Sequence, residues 1–228
     1  MKTSGMLALV GGGEWTEPCR ELDEQLLARA SGDSVLVLPT ASAFEHPDRV
    51  VEQATKWFAT LGAKVQGLNV LNRRDAESDA SVRAMRSAGF VYIADGSPLH
   101  LRSVLKGSEL YGALAYAYER GAVVAASGAG ATVLCDPMVD PRGGAYTVGL
   151  GLVSGLAVFP YHGTTADHLR ERSVDLLAAD AALVGVDEHT AIVREAEGDW
   201  KVTGAGTATI YRKGAKPKTI KPGATVPV

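Results

Sequence analysis

An α/β fold with a doubly wound, mostly parallel sheet is what this sequence predicts, on three observations. Short Val-, Leu- and Ile-rich runs recur along the chain, each bounded by Gly, Asp or Pro, as strands buried on both faces require. Longer segments of helical apolar spacing lie between them. Near the C-terminus the rhythm changes to short alternating runs, which read as antiparallel strands.

Strands are expected at residues 6–10, 34–38, 63–68, 89–93, 121–125, 156–159 and 182–186, and helices at 17–30, 47–61, 76–88, 108–120, 129–135 and 165–179. Between Glu45 and Leu61 the apolar positions Val50, Val51, Ala54, Trp57, Phe58 and Leu61 make one stripe, the mark of a helix lying on a sheet. The segments from Asp79 to Gly89 and from Glu109 to Gly121 both stop at glycine, a residue that ends helices readily. Thr190–Arg194, Trp200–Thr203 and Thr207–Arg212 read as the C-terminal antiparallel strands, with Glu197-Gly198-Asp199 as a turn. The Lys-, Pro- and Gly-rich tail from Lys213 reads as a solvated terminus that protects a sheet edge.

With 228 residues, 46% of them hydrophobic and 21% charged, the chain is long enough to bury a sizeable core, and no composition break divides it. A single domain spanning 1–228 is expected. A formal charge of −3 argues against nucleic-acid binding driven by phosphate neutralisation. The apolar segment after Met1-Lys2-Thr3-Ser4-Gly5 is too short for a signal-peptide core or a membrane span, so the expected location is cytoplasmic, with no membrane partner. Cys19 and Cys135 are far apart and lack CxxC spacing, which indicates neither a disulfide framework nor a thiolate metal site. The Gly11-Gly12-Gly13 turn lacks the remaining glycines of a dinucleotide motif and the Walker lysine. His162, Asp167 and His168 straddle a loop and a helix start, a poor spacing for metal ligands. No cofactor and no metal are expected.

The chemistry concentrates at residues 123–134, Val-Val-Ala-Ala-Ser-Gly-Ala-Gly-Ala-Thr-Val-Leu. An apolar run stops at small residues and a helical pattern follows, the layout of a nucleophile elbow, where a strained turn exposes one side chain above a sheet. If Ala129-Gly130-Ala131 sets the frame, the tip is Gly128, which carries no side chain. If the hydroxyl sets it, the nucleophile is Ser127. A one-residue shift on a strand reverses side-chain direction, so only one of the two faces the site.

Six landmarks then appear in order: Leu9-Val10-Gly11-Gly12-Gly13, Val37–Ser42, Val91–Pro98, the elbow, the Gly149–Leu152 segment leading to His162, and Gly185-Val186-Asp187-Glu188-His189-Thr190-Ala191. From Leu7 to about Tyr211 the chain resembles the serine peptidases that include dipeptidase E and cyanophycinase. That resemblance implies the flavodoxin-like fold of glutamine amidotransferase domains. It also implies a Ser-His-Glu triad, with His162 as the imidazole and Glu188 as its acid. Asp187 and Asp140 are alternatives for the acid. Asp95, Gly96, Ser97 and Ala129 fall where the substrate and oxyanion contacts are expected.

The departures from the family pattern fall at the site. Its Gly-Thr-Ser-Ala-Gly-Ala leaves Gly128 at the nucleophile position, and its Gly-Gly-Asn-Gln becomes Asp95-Gly96-Ser97-Pro98. Pro98 removes a backbone donor, and Asp95 brings negative charge to where an oxyanion would form. Pro160, Tyr161 and Gly163 replace the family's neighbours of the histidine, and Ala166 and His168 replace its arginines. The expected function is therefore a divergent homologue, degenerate at the nucleophile, that binds a small-molecule or peptide ligand. The alternative is a hydrolase using Ser127, His162 and Glu188. A homodimer is compatible with either.

Overall fold

Side chains alternate between the two faces of an extended strand, and that alternation gives the main sheet a separate core on each face, while a third, with Ala157, Phe159, Leu183 and Tyr211, lies on the outer face of the second sheet. The fold is described from a computed structural model over residues 4–164, 167–196 and 198–228, for Asp167 the backbone alone. Thr165, Ala166 and Glu197 lie outside the described residues.

The central strands are β1 (Leu7–Val10), β2 (Ser34–Leu38), β3 (Lys64–Gly67), β4 (Phe90–Ile93) and β5 (Val123–Ser127). They lie parallel in the order β1-β5-β4-β2-β3. Later come β6 (Leu156–Phe159), β7 (Ala182–Val186), β8 (Thr190–Arg194), β9 (Trp200–Gly204), β10 (Ala208–Tyr211), β11 (Lys218–Ile220) and β12 (Thr225–Val226). Strands β8, β9 and β12 extend the sheet antiparallel beyond β1. The C-terminal hairpin expected from the sequence is β8–β9.

Strands β6 and β7, expected in the main sheet, pair with each other in parallel and form a second sheet with β10 and β11. The reason is the edge of β1, already taken by β8 in antiparallel register, Leu7 opposite Arg194. Residues 187–189 alone separate β7 from β8. A link that short cannot make a parallel crossover, so the chain steps from one sheet to the other at Asp187.

Among the described residues, the helices that cover the sheets are α1 (Arg20–Arg29), α2 (Pro47–Thr60), α3 (Asp79–Ser87), α4 (Pro98–Leu105), α5 (Glu109–Glu119), α6 (Ala129–Leu134) and α7 (Asp167–Asp175). A single helical turn, Arg73–Ala76, adds to them. Helix α4 is not among the expected helices, since residues 95–98 read as a loop in which Pro98 removes a backbone donor. Proline is tolerated in the first helical turn, where its missing N–H would have no partner, and Ser97 Oγ caps the turn by accepting from His100 N at 3.3 Å. None of these helices is long and apolar enough to cross a membrane.

On one face of the main sheet, Ala8, Val10, Val35, Val37, Phe90, Tyr92, Val123 and Ala125 pack with Leu22, Leu26, Ala54 and Phe58 of α1 and α2. On the other, Leu7, Leu9, Leu36, Leu38, Val91, Ile93, Val124 and Ala126 join the remaining helices and the second sheet, including Val158, Val184 and Ile210. By this parity Ser127 belongs with Val123 and Ala125, on the α1–α2 face.

Phe58 is fully buried, with its ring edge-on to Phe90 and Tyr92 at 6.0 and 6.1 Å between centroids. Phe58→Ala is expected to lower unfolding free energy by about 3–5 kcal/mol, read from urea unfolding. A loss below about 1 kcal/mol would mean that α2 is not seated on this core.

Candidate active site

Strand β5 ends at Ser127, and the chain turns on Gly128 (φ 48°, ψ −105°) into α6. This backbone conformation is one that L-residues rarely adopt. The Gly128 N–H is held by Val10 O at 3.0 Å, which ties the turn to β1. Ser127 is fully buried, and its hydroxyl donates to Glu14 Oε2 at 2.6 Å. It faces the α1–α2 side, as strand parity requires.

The space beyond Gly128 holds the Asp95 carboxylate. Asp95 follows β4, and its Oδ1 accepts from Ala129 N at 2.6 Å and from its neighbour Gly96 N at 2.7 Å. Its Oδ2 accepts a very short hydrogen bond from the Tyr161 hydroxyl. A Cβ added to Gly128 would overlap this carboxylate. The Asp95 N–H in turn donates to Glu14 Oε1 at 3.1 Å, and Ser42 Oγ donates to Asp95 O at 2.6 Å. Glu14 thus bridges Ser127 and Asp95. Burial raises its carboxyl above the ordinary value; the Ser127 hydrogen bond opposes this and the Asp95 charge adds to it.

Tyr161 comes from the loop after β6, with φ 52° and its N–H on Gly11 O at 2.7 Å. Its ring lies so close to Gly12 (φ 115°) that a Cβ there would overlap it, which explains the glycine. Burial first, then Asp95, raises the Tyr161 hydroxyl pKa well above its usual value, so the proton stays on the phenol.

His162, the next residue, turns toward the second sheet. Its Nδ1 lies 3.0 Å from Asp187 Oδ1 and its Nε2 2.8 Å from the Tyr211 hydroxyl. The carboxylate beside the imidazole is therefore Asp187, not Glu188, which is exposed. Asp187 directly follows β7 and is turned inward, where Thr207 N and Oγ1 each donate to its Oδ2 at 2.8 Å, whereas Glu188 starts the turn to β8. Burial pushes the Asp187 carboxyl up, but the bonds from His162 and Thr207 outweigh it and hold it below the ordinary value.

A cleft of about 250 Å³ opens above Asp95. Asp95, Gly96, Ala129, Thr132, Asp140 and Tyr161 line it together with Pro98, Val139, Pro141, Phe159, Pro160 and Leu169. Of the residues expected at the site, Asp95, Gly96 and Ala129 line this cleft. Ser127 is sealed beneath, Ser97 is engaged as a helix cap, and His162 has both ring nitrogens occupied elsewhere. The sequence reading missed Glu14, Tyr161 and Tyr211 as functional residues. Glu14 was findable as the first ionisable residue after Gly11-Gly12-Gly13, a turn at the carboxyl end of β1 where ligands of such sheets bind.

Cys135 is fully buried with its thiol pushed up to about 12 by desolvation, so it is no substitute nucleophile. Of the metal ligands considered, the Asp167 side chain lies outside the described residues, and His168 is exposed; Ala166, at one of the family's arginine positions, also lies outside the described residues. No three His, Cys, Asp or Glu side chains among the described residues are arranged to hold a metal ion.

The family model described as peptidase family S51 matches residues 6–199. Cyanophycinase from Synechococcus elongatus is 29% identical over 221 residues, covering 90% of this chain and 67% of that protein. Cyanophycinase from Nostoc sp. is 26% identical over 224 residues, covering 91% and 74%. The crystal structure of a peptidase from an acI-B1 Actinobacterium superposes with a TM-score of 0.89 at 26% identity, covering 99% of this chain and 97% of that one. A putative peptidase E from Listeria monocytogenes shares the fold at a TM-score of 0.67 and 18% identity, covering 89% of this chain and 98% of that one.

Two outcomes follow from this geometry. Gly128→Ala is expected to destabilise the protein by about 1–3 kcal/mol, through the strained φ and the overlap with Asp95. Asp95→Gly in the same background should recover a measurable part, seen as coupling in a double-mutant cycle; additive effects would show that the carboxylate does not occupy this space. Glu14→Gln keeps an acceptor for Asp95 N and reverses the other bond, its amide donating to Ser127 Oγ where the carboxylate now accepts, while removing a buried charge. Because the folded carboxyl titrates above its ordinary value of 4.5, the wild type loses stability as pH rises through the folded pKa. The variant's urea midpoint should therefore exceed the wild type's at pH 7, with the difference shrinking as pH falls toward 4.5. A pH-independent difference would contradict the assignment.

Proposed function

The chain belongs to peptidase family S51, and we propose that it is a member that binds a small ligand in the Asp95 cleft rather than hydrolysing peptides through a serine. One observation carries this reading: the Asp95 carboxylate fills the space a side chain at position 128 would need, and it accepts the Ala129 and Gly96 N–H groups. Serine-peptidase chemistry asks for a hydroxyl at an exposed elbow, an imidazole within hydrogen-bond reach of it, and free N–H donors for the oxyanion. Gly128 carries no hydroxyl. The Ser127 hydroxyl points to Glu14, and both His162 nitrogens are engaged by Asp187 and Tyr211. A backbone N–H pair that already receives a carboxylate has no capacity left for a developing oxyanion unless Asp95 moves away.

The cleft itself is retained. Its walls are largely apolar, from Pro98, Val139, Pro141, Phe159 and Leu169, with Asp95, Thr132, Asp140 and Tyr161 as the polar side chains. That is the composition of a small-molecule site.

The test is labelling of the full chain with a fluorophosphonate probe, with the modified residue mapped by mass spectrometry, alongside peptide hydrolysis. The expected result is no labelling at Ser127 and no turnover sensitive to Ser127→Ala. Labelling at Ser127, or hydrolysis abolished by Ser127→Ala, would establish the hydrolase instead.

A further inference from the structure

We propose that the ligand of the Asp95 cleft is a small organic cation, an amine carrying an apolar body. This rests on the reading of the cleft as a binding site and adds the chemical class it takes.

The argument is a count of donors and acceptors. An ionised carboxylate offers about four acceptor positions. On Asp95, Oδ1 receives two N–H groups and Oδ2 receives one O–H, so one acceptor position on Oδ2 remains. The Tyr161 oxygen donates its proton to Asp95 and retains lone pairs of its own. Both groups line the cleft, and both accept hydrogen bonds there. The two N–H groups that would receive an anion are already taken.

Charge points the same way. The lining residues include two carboxylates, Asp95 and Asp140, and no Lys, Arg or His among those described. Asp140 is paired with exposed Arg142 at 2.6 Å, so Asp95 is the lining carboxylate that has no ion-pair partner among the described residues. Glu14, one shell below, adds a second negative charge. Phe159 and Tyr161 contribute aromatic rings to the wall, and aromatic rings attract a desolvated cation. An ammonium group on Asp95 Oδ2 would leave its organic part against Pro98, Val139, Phe159 and Leu169. A volume of about 250 Å³ is below the usual range for drug-sized ligands, so the occupant is a fragment-sized monoamine.

The experiment compares benzylamine with benzyl alcohol and benzoate, isosteres that are neutral and anionic, by NMR titration of the full chain. Benzylamine is expected to bind at least about tenfold more tightly than either, a difference of about 1.4 kcal/mol. It should move the amide resonances of Gly96, Ala129 and Leu169. Asp95→Asn keeps an acceptor for the two N–H groups and should abolish that preference, bringing benzylamine down to the affinity of benzyl alcohol. If the variant does not fold, the wild-type shift map alone decides. Equal or tighter binding of benzoate, benzylamine shifts confined to residues outside the cleft, no binding of benzylamine, or an unchanged benzylamine affinity in folded Asp95→Asn would each overturn the proposal. Fluorophosphonate labelling separates this from failure of the binding-protein reading. A labelled Ser127 sinks that reading, whereas wrong ligand selectivity without labelling sinks only the amine.

Discussion

Three elements of the main sheet meet at one carboxylate. Asp95, at the carboxyl end of β4, accepts the first N–H of α6, which follows β5, and the hydroxyl of Tyr161, which follows β6 of the second sheet. Its backbone N–H is held by Glu14, from the turn after β1. Removing the carboxylate would leave the Ala129 and Gly96 N–H groups without these acceptors at the edge of an apolar cleft, and unsatisfied donors of that kind are costly. The loops at this rim are therefore arranged around a single anion supplied by the chain itself.

Placing that anion here has an electrostatic consequence. Glu14 lies directly beneath, and two carboxylates in partly desolvated surroundings repel. The arrangement is tolerated because each oxygen is supplied with donors: Ser127 and the Asp95 N–H for Glu14, and two N–H groups and a phenol for Asp95. Ser127, the one hydroxyl of the elbow, thus takes part in keeping a buried carboxylate satisfied. The His162–Asp187 pair is engaged in the same structural manner, joining the loop after β6 to the turn after β7 and to Tyr211 of β10.

Much of the scaffold was legible because it rests on local pattern. The buried Val- and Leu-rich runs of β1, β2, β4 and β5 and the apolar stripe of α2 are short-range signals, and glycine at the elbow tip follows from the frame of Ala129-Gly130-Ala131. What escaped the sequence depends on long-range choices. The second sheet arises from competition for the edge of β1, which neither β6 nor β7 encodes alone. Whether Asp187 or Glu188 meets His162 depends on which way one short link turns, and Tyr211 reaches that histidine across 49 positions of sequence. Helix α4 escaped for a local reason, because proline is ambiguous between breaker and first-turn residue.

The role of Asp95 was the least legible feature, because the sequence shows its charge and not the N–H groups and phenol that surround it. Sequence alone presents Asp95 and Gly128 as two separate departures from a family pattern. In space they are one change, because the missing side chain at 128 provides the volume that the carboxylate at 95 occupies. Restoring a serine at 128 alone would then not restore an elbow, since its Cβ would contend with Asp95 for the same space. A recovered hydroxyl would also face donors that are already satisfied. Positions 128 and 95 are therefore coupled: a side chain at 128 fits only where the carboxylate at 95 gives way.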